Sequence, residues 1–368
     1  MKLAIRELVR EPTRFVIATG ALTLLVVLLL LLGGLLDGLF LGSTGAIRTQ
    51  DADAFVYSGD ARTSFLRSRI DPELRQQVEA VDGVDDAGGL GIALLAAQVP
   101  GEGELADTAV VGYERPTNDV PAPPPPGQAW ADERLKASGV EQGETLAVGP
   151  EAIPIEVVGF VDDTNYLLQG GLWVEPATWR ELAGSARPDA AVGEGVFQVL
   201  VVAGADGEDA EALTRRIDEA TGGATESLTK ADAVFSLPGT REQNNTFNQV
   251  IGVTFFVAGL VIALFFVLLT IERLGLYGVL KALGASTGEL IIGVVTQAVV
   301  VAAIAFALGW LIARGLALVI PDEVPVRLEP SRAVFVAGGI LLAAVLGAAV
   351  SLRRIARIDP ASAIGTAS

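Results

Sequence analysis

Residues 250–271 read VIGVTFFVAGLVIALFFVLLTI, an apolar run that contains no charged side chain. A helix needs about 20 predominantly apolar residues to cross the hydrocarbon core of a bilayer. Three further runs have the same length and character. The sequence therefore predicts an α-helical membrane protein with four transmembrane helices. The predicted spans are residues 15–40, 250–271, 290–312 and 333–352.

The first apolar run follows basic residues, as the apolar core of a signal peptide also does. It continues from residue 15 to residue 36 without a charge, whereas the apolar core of a signal peptide has about 7–15 residues. No A-x-A cleavage pattern follows it. We therefore expect this run to be retained as a membrane helix.

The acidic residues are concentrated between the first and second helices. The chain has 44 Asp and Glu against 26 Lys and Arg, a net charge of −18. Residues 41–249 alone contain 35 acidic and 14 basic residues. A negative domain repels phosphate backbones, so nucleic acid is excluded as a partner. We interpret this acidity as the solvated surface of one large extracytoplasmic domain.

The composition removes most enzyme classes. The sequence contains no Cys and no His, and Met1 is its single methionine. Disulfides, thiolate zinc sites, His-ligated metals and catalysis by a nucleophile–His pair are therefore excluded. The phosphate-binding pattern G-x-x-x-x-G-K-[ST] does not occur either. We expect no catalytic residue, no metal site and no cofactor in this chain, and ATP would have to be bound by a separate subunit.

The distribution of basic residues predicts the orientation in the membrane. Residues 1–14, 272–289 and 353–368 together carry nine basic and five acidic residues. Lys and Arg near helix ends favour the cytoplasmic side. An even number of helices places all three segments on that side, so we expect both termini in the cytoplasm.

Local patterns in residues 41–249 predict an α+β domain. Leu74, Val78 and Val81 have helical spacing after an Asp-Pro start, and PAPPPPG at 121–127 predicts a stiff connector. The predicted helices are 71–81, 130–138, 178–183 and 208–220, and the predicted strands are 109–113, 143–149, 153–161, 172–175 and 197–203.

Three segments resemble the MacB/FtsX-type ABC transporter permeases. They are AIRELVR at 4–10 followed by Arg14 and Phe15, the segment from Glu272 to GVLKALGAS at 278–286, and RRIARIDPASA at 353–363. The middle segment is the most specific. The resemblance covers essentially the whole chain, although residues 146–148 and 155–161 are only weakly similar to the distal half of the MacB periplasmic domain.

The resemblance implies a prokaryotic plasma-membrane protein that works with an ABC ATPase subunit and a second permease copy. It also implies the following division of the chain. Residues 1–14 form an amphipathic N-terminal helix, 15–40 helix 1, 41–249 a MacB-like extracytoplasmic domain, 250–271 helix 2, 272–289 a cytoplasmic coupling loop, 290–312 helix 3, 313–332 an extracytoplasmic loop, 333–352 helix 4 and 353–368 a cytoplasmic tail.

The coupling loop has an apolar stripe that fits the groove of a partner protein, formed by Leu276, Val279, Leu280 and Leu283. Without the resemblance, a helix lying among lipid headgroups explains the same stripe equally well. The candidate coupling residues are Glu272, Arg273, Leu276, Val279, Leu280, Lys281, Leu283 and Gly284.

Small residues recur at a spacing of four in two of the predicted helices. Such faces let helices approach closely, either between two copies or within one chain, and the sequence leaves both uses open. The candidate packing residues are Gly34 and Gly38 in helix 1 and Gly339, Ala343 and Gly347 in helix 4.

The expected function is that of a permease subunit. It would couple ATP hydrolysis in its partner to movement of the extracytoplasmic domain, for export or release of an amphipathic substrate. The spans carry almost no charge, with Arg314 at the edge of helix 3, so a hydrophilic solute finds few partners there. The alternatives are an FtsX-like regulator of a cell-wall hydrolase, a haem exporter, and a membrane-anchored sensor or adhesion protein. The lack of His, Cys and a useful Met weakens the haem hypothesis, and the several C-terminal helices disfavour the sensor or adhesion protein.

Overall fold

A computed structural model describes residues 12–101, 105–272, 279–280, 283–321 and 324–356. The chain divides into two compact units, one of residues 1–38 and 244–368 and the other of residues 39–243. We call the first the membrane unit and the second the inserted domain. Residues 1–11 of the predicted N-terminal helix (1–14) and residues 357–368 of the predicted tail (353–368) lie outside the described residues.

The helices are numbered in chain order. They are α1 (Pro12–Arg48), α2 (Pro72–Glu79), α3 (Pro176–Ala186), α4 (Ala210–Ala220), α5 (Lys230–Ser236), α6 (Thr240–Glu272), α7 (Thr287–Ala317) and α8 (Pro330–Ala356). The strands are β1 (Ala54–Ser58), β2 (Val84–Gln98), β3 (Leu105–Tyr113), β4 (Gln128–Asp132), β5 (Thr145–Val148), β6 (Ile153–Val161), β7 (Gly170–Val174), β8 (Val199–Gly204) and β9 (Thr225–Thr229).

Four of these helices, α1, α6, α7 and α8, are long and apolar enough to cross a membrane. The predicted fold class is thereby confirmed, with a domain of helices and strands inserted between the first and second membrane helices. Each helix contains one of the predicted apolar runs and continues beyond it. The polar sequence TREQNNTFNQ, for example, forms the first turns of α6, because helical hydrogen bonding does not end where the apolar run begins.

The membrane unit is packed with aliphatic side chains and small residues. Its core includes fully buried residues from all four helices, among them Val26, Ile262, Val301 and Ile340. Lipid tails are as apolar as these side chains, so close packing rather than removal from water holds such helices together.

The inserted domain is built on a nine-stranded sheet with the order β3-β7-β4-β6-β5-β2-β8-β1-β9. An additional pairing of β2 with β3 closes six of the strands into a circuit. The long strand β2 belongs to both parts of the sheet. Its first half pairs with β8 over Val84–Leu90, and its second half pairs with β3 over Leu90–Gln98.

The open part of the sheet ends in the strands β8, β1 and β9. Strand β1 pairs antiparallel with β9, from Ala54 opposite Thr229 to Ser58 opposite Thr225. Helices α2 and α4 contribute Val78, Leu213 and Ile217 to the buried cluster on this part of the sheet.

Several local predictions are confirmed. The Asp71 side chain accepts a hydrogen bond from the Leu74 N–H and caps α2, in which Val78 is buried. Leu213 and Ile217 of α4 are buried, and β5 pairs antiparallel with β6. The connector at 121–127 forms neither helix nor strand, and its Pro121 carbonyl accepts a hydrogen bond from Tyr113 Oη at 2.8 Å.

One predicted helix is wrong in its first part. Residues 130–138 were expected to be helical, but Gln128–Asp132 form β4 and only Glu133–Ser138 form a short 3₁₀ helix. Strand β4 lies between β6 and β7, and pairing with strands distant in sequence overrides the local pattern. The strands β1, β2 and β9 and the helix α5 were not predicted.

Candidate functional site

The predicted coupling loop corresponds to the α6–α7 connection, residues 273–286. Residues 273–278 and 281–282, which include Arg273, Leu276 and Lys281, lie outside the described residues. Among the described residues of the connection, the Leu283 N–H donates a hydrogen bond to the Val279 carbonyl at 3.0 Å, which is the spacing of a helical turn. The Ala285 N–H donates to the Leu280 carbonyl at 2.9 Å, and Gly284 between them has a φ of +97°. The bond from Ala285 to Leu280 and the left-handed Gly284 are characteristic of the Schellman end of a helix, and the left-handed position favours glycine.

Helix α7 begins two residues later with a capping box. The Ser286 Oγ accepts a hydrogen bond from the Glu289 N–H at 3.2 Å, and the Glu289 carboxylate accepts one from the Ser286 N–H at 3.0 Å. This reciprocal pair satisfies two backbone donors that would otherwise lack partners. Only Ala285 therefore lies between Gly284, which ends the helical turn, and Ser286, which caps α7.

The apolar residues of the connection point in two directions. Leu283 is 79% exposed and Val279 is 49% exposed. Leu280, in contrast, packs against the buried core of the membrane unit. Glu272, the last residue of α6, is exposed. Of the described stripe residues, Val279 and Leu283 are thus available to a partner and Leu280 anchors the turn to its own chain.

The small residues of α1 contact the chain that precedes α8. A methyl group built on Gly38 would lie 1.7 Å from the Pro325 carbonyl oxygen, and one on Gly34 would lie 2.9 Å from Leu328 Cδ2. The Arg327 N–H donates a hydrogen bond to the Gly34 carbonyl at 2.9 Å. Both glycines therefore give the backbone room to approach within one chain.

The small residues of α8 face α6. A methyl group on Gly339 would lie 2.3 Å from Phe255 Cε1, and one on Gly347 would lie 2.9 Å from Ile262 Cγ2. Ala343 lies opposite Gly259, at 3.8 Å from the position of an added Cβ. These positions too are occupied within one chain, so a second copy would need a different surface.

The pair of Asp37 and Arg332 is a feature that sequence analysis missed. The Arg332 Nε donates to Asp37 Oδ2 at 3.0 Å and its Nη2 donates to Asp37 Oδ1 at 2.5 Å, and both side chains are partly buried. The forked geometry is the strong form of an arginine–carboxylate contact. The opposite charges of Asp37 and Arg332, near the ends of two predicted membrane helices, are the sequence signal that could have indicated this pair.

Within the described ranges, no group of three or more Asp and Glu side chains could hold a metal ion. The connection offers exposed apolar side chains on a braced turn, which suits binding rather than catalysis.

Comparison with known proteins identifies the relatives of this chain. Residues 248–360, which span the last three membrane helices, match the family described as FtsX-like permease C-terminal. An uncharacterised ABC transporter permease of Mycobacterium tuberculosis is 27% identical over 375 residues, with 98% of each chain covered. A Staphylococcus epidermidis protein with the provisional name hemin transport system permease protein HrtB is 18% identical, with 99% of each chain covered.

Two solved structures align with part of the chain. The periplasmic region of MacB from Actinobacillus actinomycetemcomitans is 13% identical and covers 50% of this chain and 92% of its own, with a TM-score of 0.35. The extracellular domain of the transporter YknZ from Gram-positive bacteria is 12% identical and covers 48% of this chain and 98% of its own, with a TM-score of 0.34.

The match of the C-terminal residues and the full-length alignment with named permeases confirm the resemblance predicted from sequence. The chain is a membrane protein that carries an FtsX-like permease domain at residues 248–360 and is similar along its length to ABC transporter permeases.

Proposed function

We propose that this chain is the permease subunit of an ABC complex and that its α6–α7 connection docks onto a separate ATPase subunit. ATP hydrolysis in that subunit would move the connection and, through the membrane helices, the inserted domain. The observation that carries the proposal is the exposure of Val279 and Leu283 on a turn that is closed by backbone hydrogen bonds and followed by the capping box of α7.

Two physical features suit this connection for coupling. Residues four apart on a helix lie on one face, so Val279 and Leu283 form a small apolar ridge. The Schellman end at Gly284 and the capping box at Ser286 tie this ridge directly to the start of α7. A displacement of the ridge by a partner would thus be passed to a membrane helix instead of being absorbed by a flexible loop.

The test is co-purification of the ATPase with the Leu283→Asp permease in detergent. A charge on the ridge would be buried without a partner in an apolar groove, so we expect the ATPase to be lost. The matched control is Leu318→Asp, because Leu318 is 88% exposed and lies at the end of α7 opposite to the α6–α7 connection. This control should retain the ATPase.

Undiminished co-purification of the ATPase with Leu283→Asp would overturn the proposal. The alternative, in which the ridge lies among lipid headgroups, also predicts that outcome, because no bilayer surface remains in detergent.

We further propose that both termini and the α6–α7 connection are cytoplasmic and that the inserted domain is extracytoplasmic, in the plasma membrane of a prokaryote. The excess of Lys and Arg in residues 1–14, 272–289 and 353–368, which this orientation places in the cytoplasm, supports it. Since the chain has no Cys, single cysteines are clean reporters. An impermeant maleimide should label Ser138→Cys in intact cells and should not label Gly288→Cys, and the reverse pattern would contradict the orientation.

The proposed cargo is an amphipathic molecule that is exported or released laterally. Few charged side chains occur along the membrane helices, and the Asp37–Arg332 pair neutralises itself. Energy would come from the partner, because the sequence has no phosphate-binding loop. A second permease copy is part of the proposal, but it would not use the packing glycines, which are occupied within the chain.

A second candidate function is haem export, which the name of the Staphylococcus epidermidis relative favours. Without His or Cys, this chain could offer only Tyr, carboxylate or the single methionine to haem iron. Deletion of the gene should then sensitise cells to hemin, and unchanged growth in hemin would exclude this function. A defect in cell separation without any change in efflux would instead favour an FtsX-like regulatory role.

A further inference from the structure

The inserted domain contains a cavity of about 190 Å³ that the proposed coupling function does not use. Its walls come from the loop after β1, the middle of β2, the turn at 166–167 and the segment that joins α5 to α6. Phe65, Tyr166 and Leu237 are nearly buried apolar parts of its lining, and Ile92 of β2 joins them. A dry cavity of about 150 Å³ is large enough for benzene, so this one can hold a ring or a short stretch of alkyl chain.

Exposed leucines mark the rim of this cavity. Leu66 is 52% exposed and Leu94 is 41% exposed, and both line it. Among the described residues of the inserted domain, Leu105 is the one other large apolar residue that is exposed to this extent. Singly exposed apolar residues are ordinary, but two at the mouth of one apolar cavity indicate a surface that binds something.

The charge of the lining is opposite to that of the domain. Residues 41–249 carry 35 acidic and 14 basic residues, yet the charged residues that line this cavity are Arg62 and Arg67. In the part of the chain that the structure describes, neither guanidinium forms an ion pair. Two exposed arginines without a carboxylate partner favour an anionic group at the mouth of the cavity.

Tyr166, which lines the cavity, adds no charge to it. Burial raises the pKa of the Tyr166 phenol far above its ordinary value, so this side chain stays neutral.

The backbone around the cavity is held in an unusual conformation. Arg62, Thr63 and Leu167 have φ values of 49°, 53° and 49°, in the left-handed region that residues other than glycine seldom adopt. Such a conformation persists only where the surroundings of the residue enforce it. The turn at Leu167 is enforced by a hydrogen bond from its N–H to the Ser43 carbonyl at 3.1 Å. The cavity wall is therefore shaped before any ligand arrives.

We propose that this cavity binds an anionic amphiphile, with an alkyl or aromatic group inside and a carboxylate, sulfate or phosphate at Arg62 and Arg67. The headgroup could belong to a bilayer lipid or to a free molecule. This inference goes beyond the proposed function, because binding requires neither the ATPase nor ATP.

The test uses the full chain without its ATPase, reconstituted in nanodiscs of phosphatidylcholine. The absence of natural cysteines makes Leu94→Cys the only thiol, and its rate of reaction with a maleimide reports access to the cavity. Decanoate should slow this reaction in a saturable manner, whereas decyltrimethylammonium at the same concentration should not. Leu105→Cys is the matched control, and its rate should not change with either compound.

The arginines are then replaced in the Leu94→Cys background. Arg62→Gln together with Arg67→Gln should weaken protection by decanoate about tenfold or more, the size expected from losing hydrogen bonds to a charged group. Protection by neutral decanol should be unaffected. Both arginines are exposed, so these changes should leave the fold intact.

Equal protection by the cation, or no protection by decanoate while the control reacts normally, would overturn the proposal. Nanodiscs that contain phosphatidylglycerol distinguish the two sources of the anionic group. Slow labelling there without decanoate would identify a bilayer lipid, and slowing by added decanoate alone would identify a free amphiphile.

Discussion

The two short connections of the membrane unit differ in what they contact. The α7–α8 connection, residues 318–329, packs onto α1. Its Pro325 carbonyl lies close to Gly38, and its Arg327 N–H donates a hydrogen bond to the Gly34 carbonyl. Its Leu328 packs against the buried core. In the described part of the α6–α7 connection, Leu280 alone packs inward, and Val279 and Leu283 are left exposed.

This difference separates structural from interacting segments. A connection that fills spaces in its own helix bundle stabilises the fold, and changes in it should unfold the chain. A connection that exposes apolar side chains on a rigid turn gains little from its own chain, so changes in it should alter binding instead. Four substitutions test this contrast, in order of decreasing effect on stability.

The largest effect is expected for Gly38→Val. A side chain there would overlap the Pro325 carbonyl oxygen, which lies 1.7 Å from the position of a Cβ. Overpacking of this kind destabilises by about 3 kcal/mol, measured by denaturant unfolding of the purified permease. Gly20→Val on the same helix is the control, because no atom lies within 4 Å of its added Cβ. Equal stability of the two variants would show that the α7–α8 connection moves freely.

Arg332→Ala should have the next largest effect. It leaves the partly buried Asp37 carboxylate without its forked partner, at a cost of about 2 kcal/mol. The double variant Asp37→Ala/Arg332→Ala should lose less stability than the sum of the two single variants. If the stability losses of the two single variants add up to that of the double variant, the ion pair does not join α1 to α8.

Ser286→Ala tests the bracing of the α6–α7 connection. Loss of the N-cap hydrogen bond at 3.2 Å should destabilise the start of α7 by about 1 kcal/mol. Ser286→Asp restores a capping oxygen and should recover most of this loss. Hydrogen exchange of the first turn of α7 measures the change locally, and unaltered exchange would show that the cap is dispensable.

The smallest effect on stability is expected for Leu283→Ser. Because this side chain is exposed, the isolated permease should change by no more than about 0.5 kcal/mol. Leu328→Ser, in the other connection, should destabilise it by more, since Leu328 packs against the core. If the two variants lose equal stability, the contrast between the connections is wrong.

The sequence predicts those parts of the fold in which the signal is local. The apolar runs of the four membrane helices, the Asp71 cap and the buried face of α4 are each contained in one short segment. Strand β2 was missed because VDDAGGLGIALLAAQ is rich in glycine and alanine, which are poor strand formers.

The structure supplies the reason for those glycines. A methyl group on Gly89 would lie 2.3 Å from Phe197, and one on Gly91 would lie 2.1 Å from Trp179. The two aromatic residues lie about 90 and 110 residues later in the chain, so their need for space cannot be read from a local pattern.

The candidate site was predictable to a similar extent. The apolar character of Val279, Leu280 and Leu283 is visible in the sequence, but their division into exposed and packed side chains depends on the surrounding helices. The partners of Gly34 and Gly38 lie nearly 300 residues away, and a spacing of four cannot tell a contact within the chain from one between copies.

The pairing of β1 with β9 has a consequence for how such proteins diversify. The first and last strands of the inserted domain are neighbours, so the polypeptide enters and leaves this domain at one place. Domains with adjacent ends tolerate insertion, removal and exchange, because their replacement does not require the flanking segments to separate. The inserted domain can therefore be exchanged as a single unit, while the packing of the membrane helices stays the same.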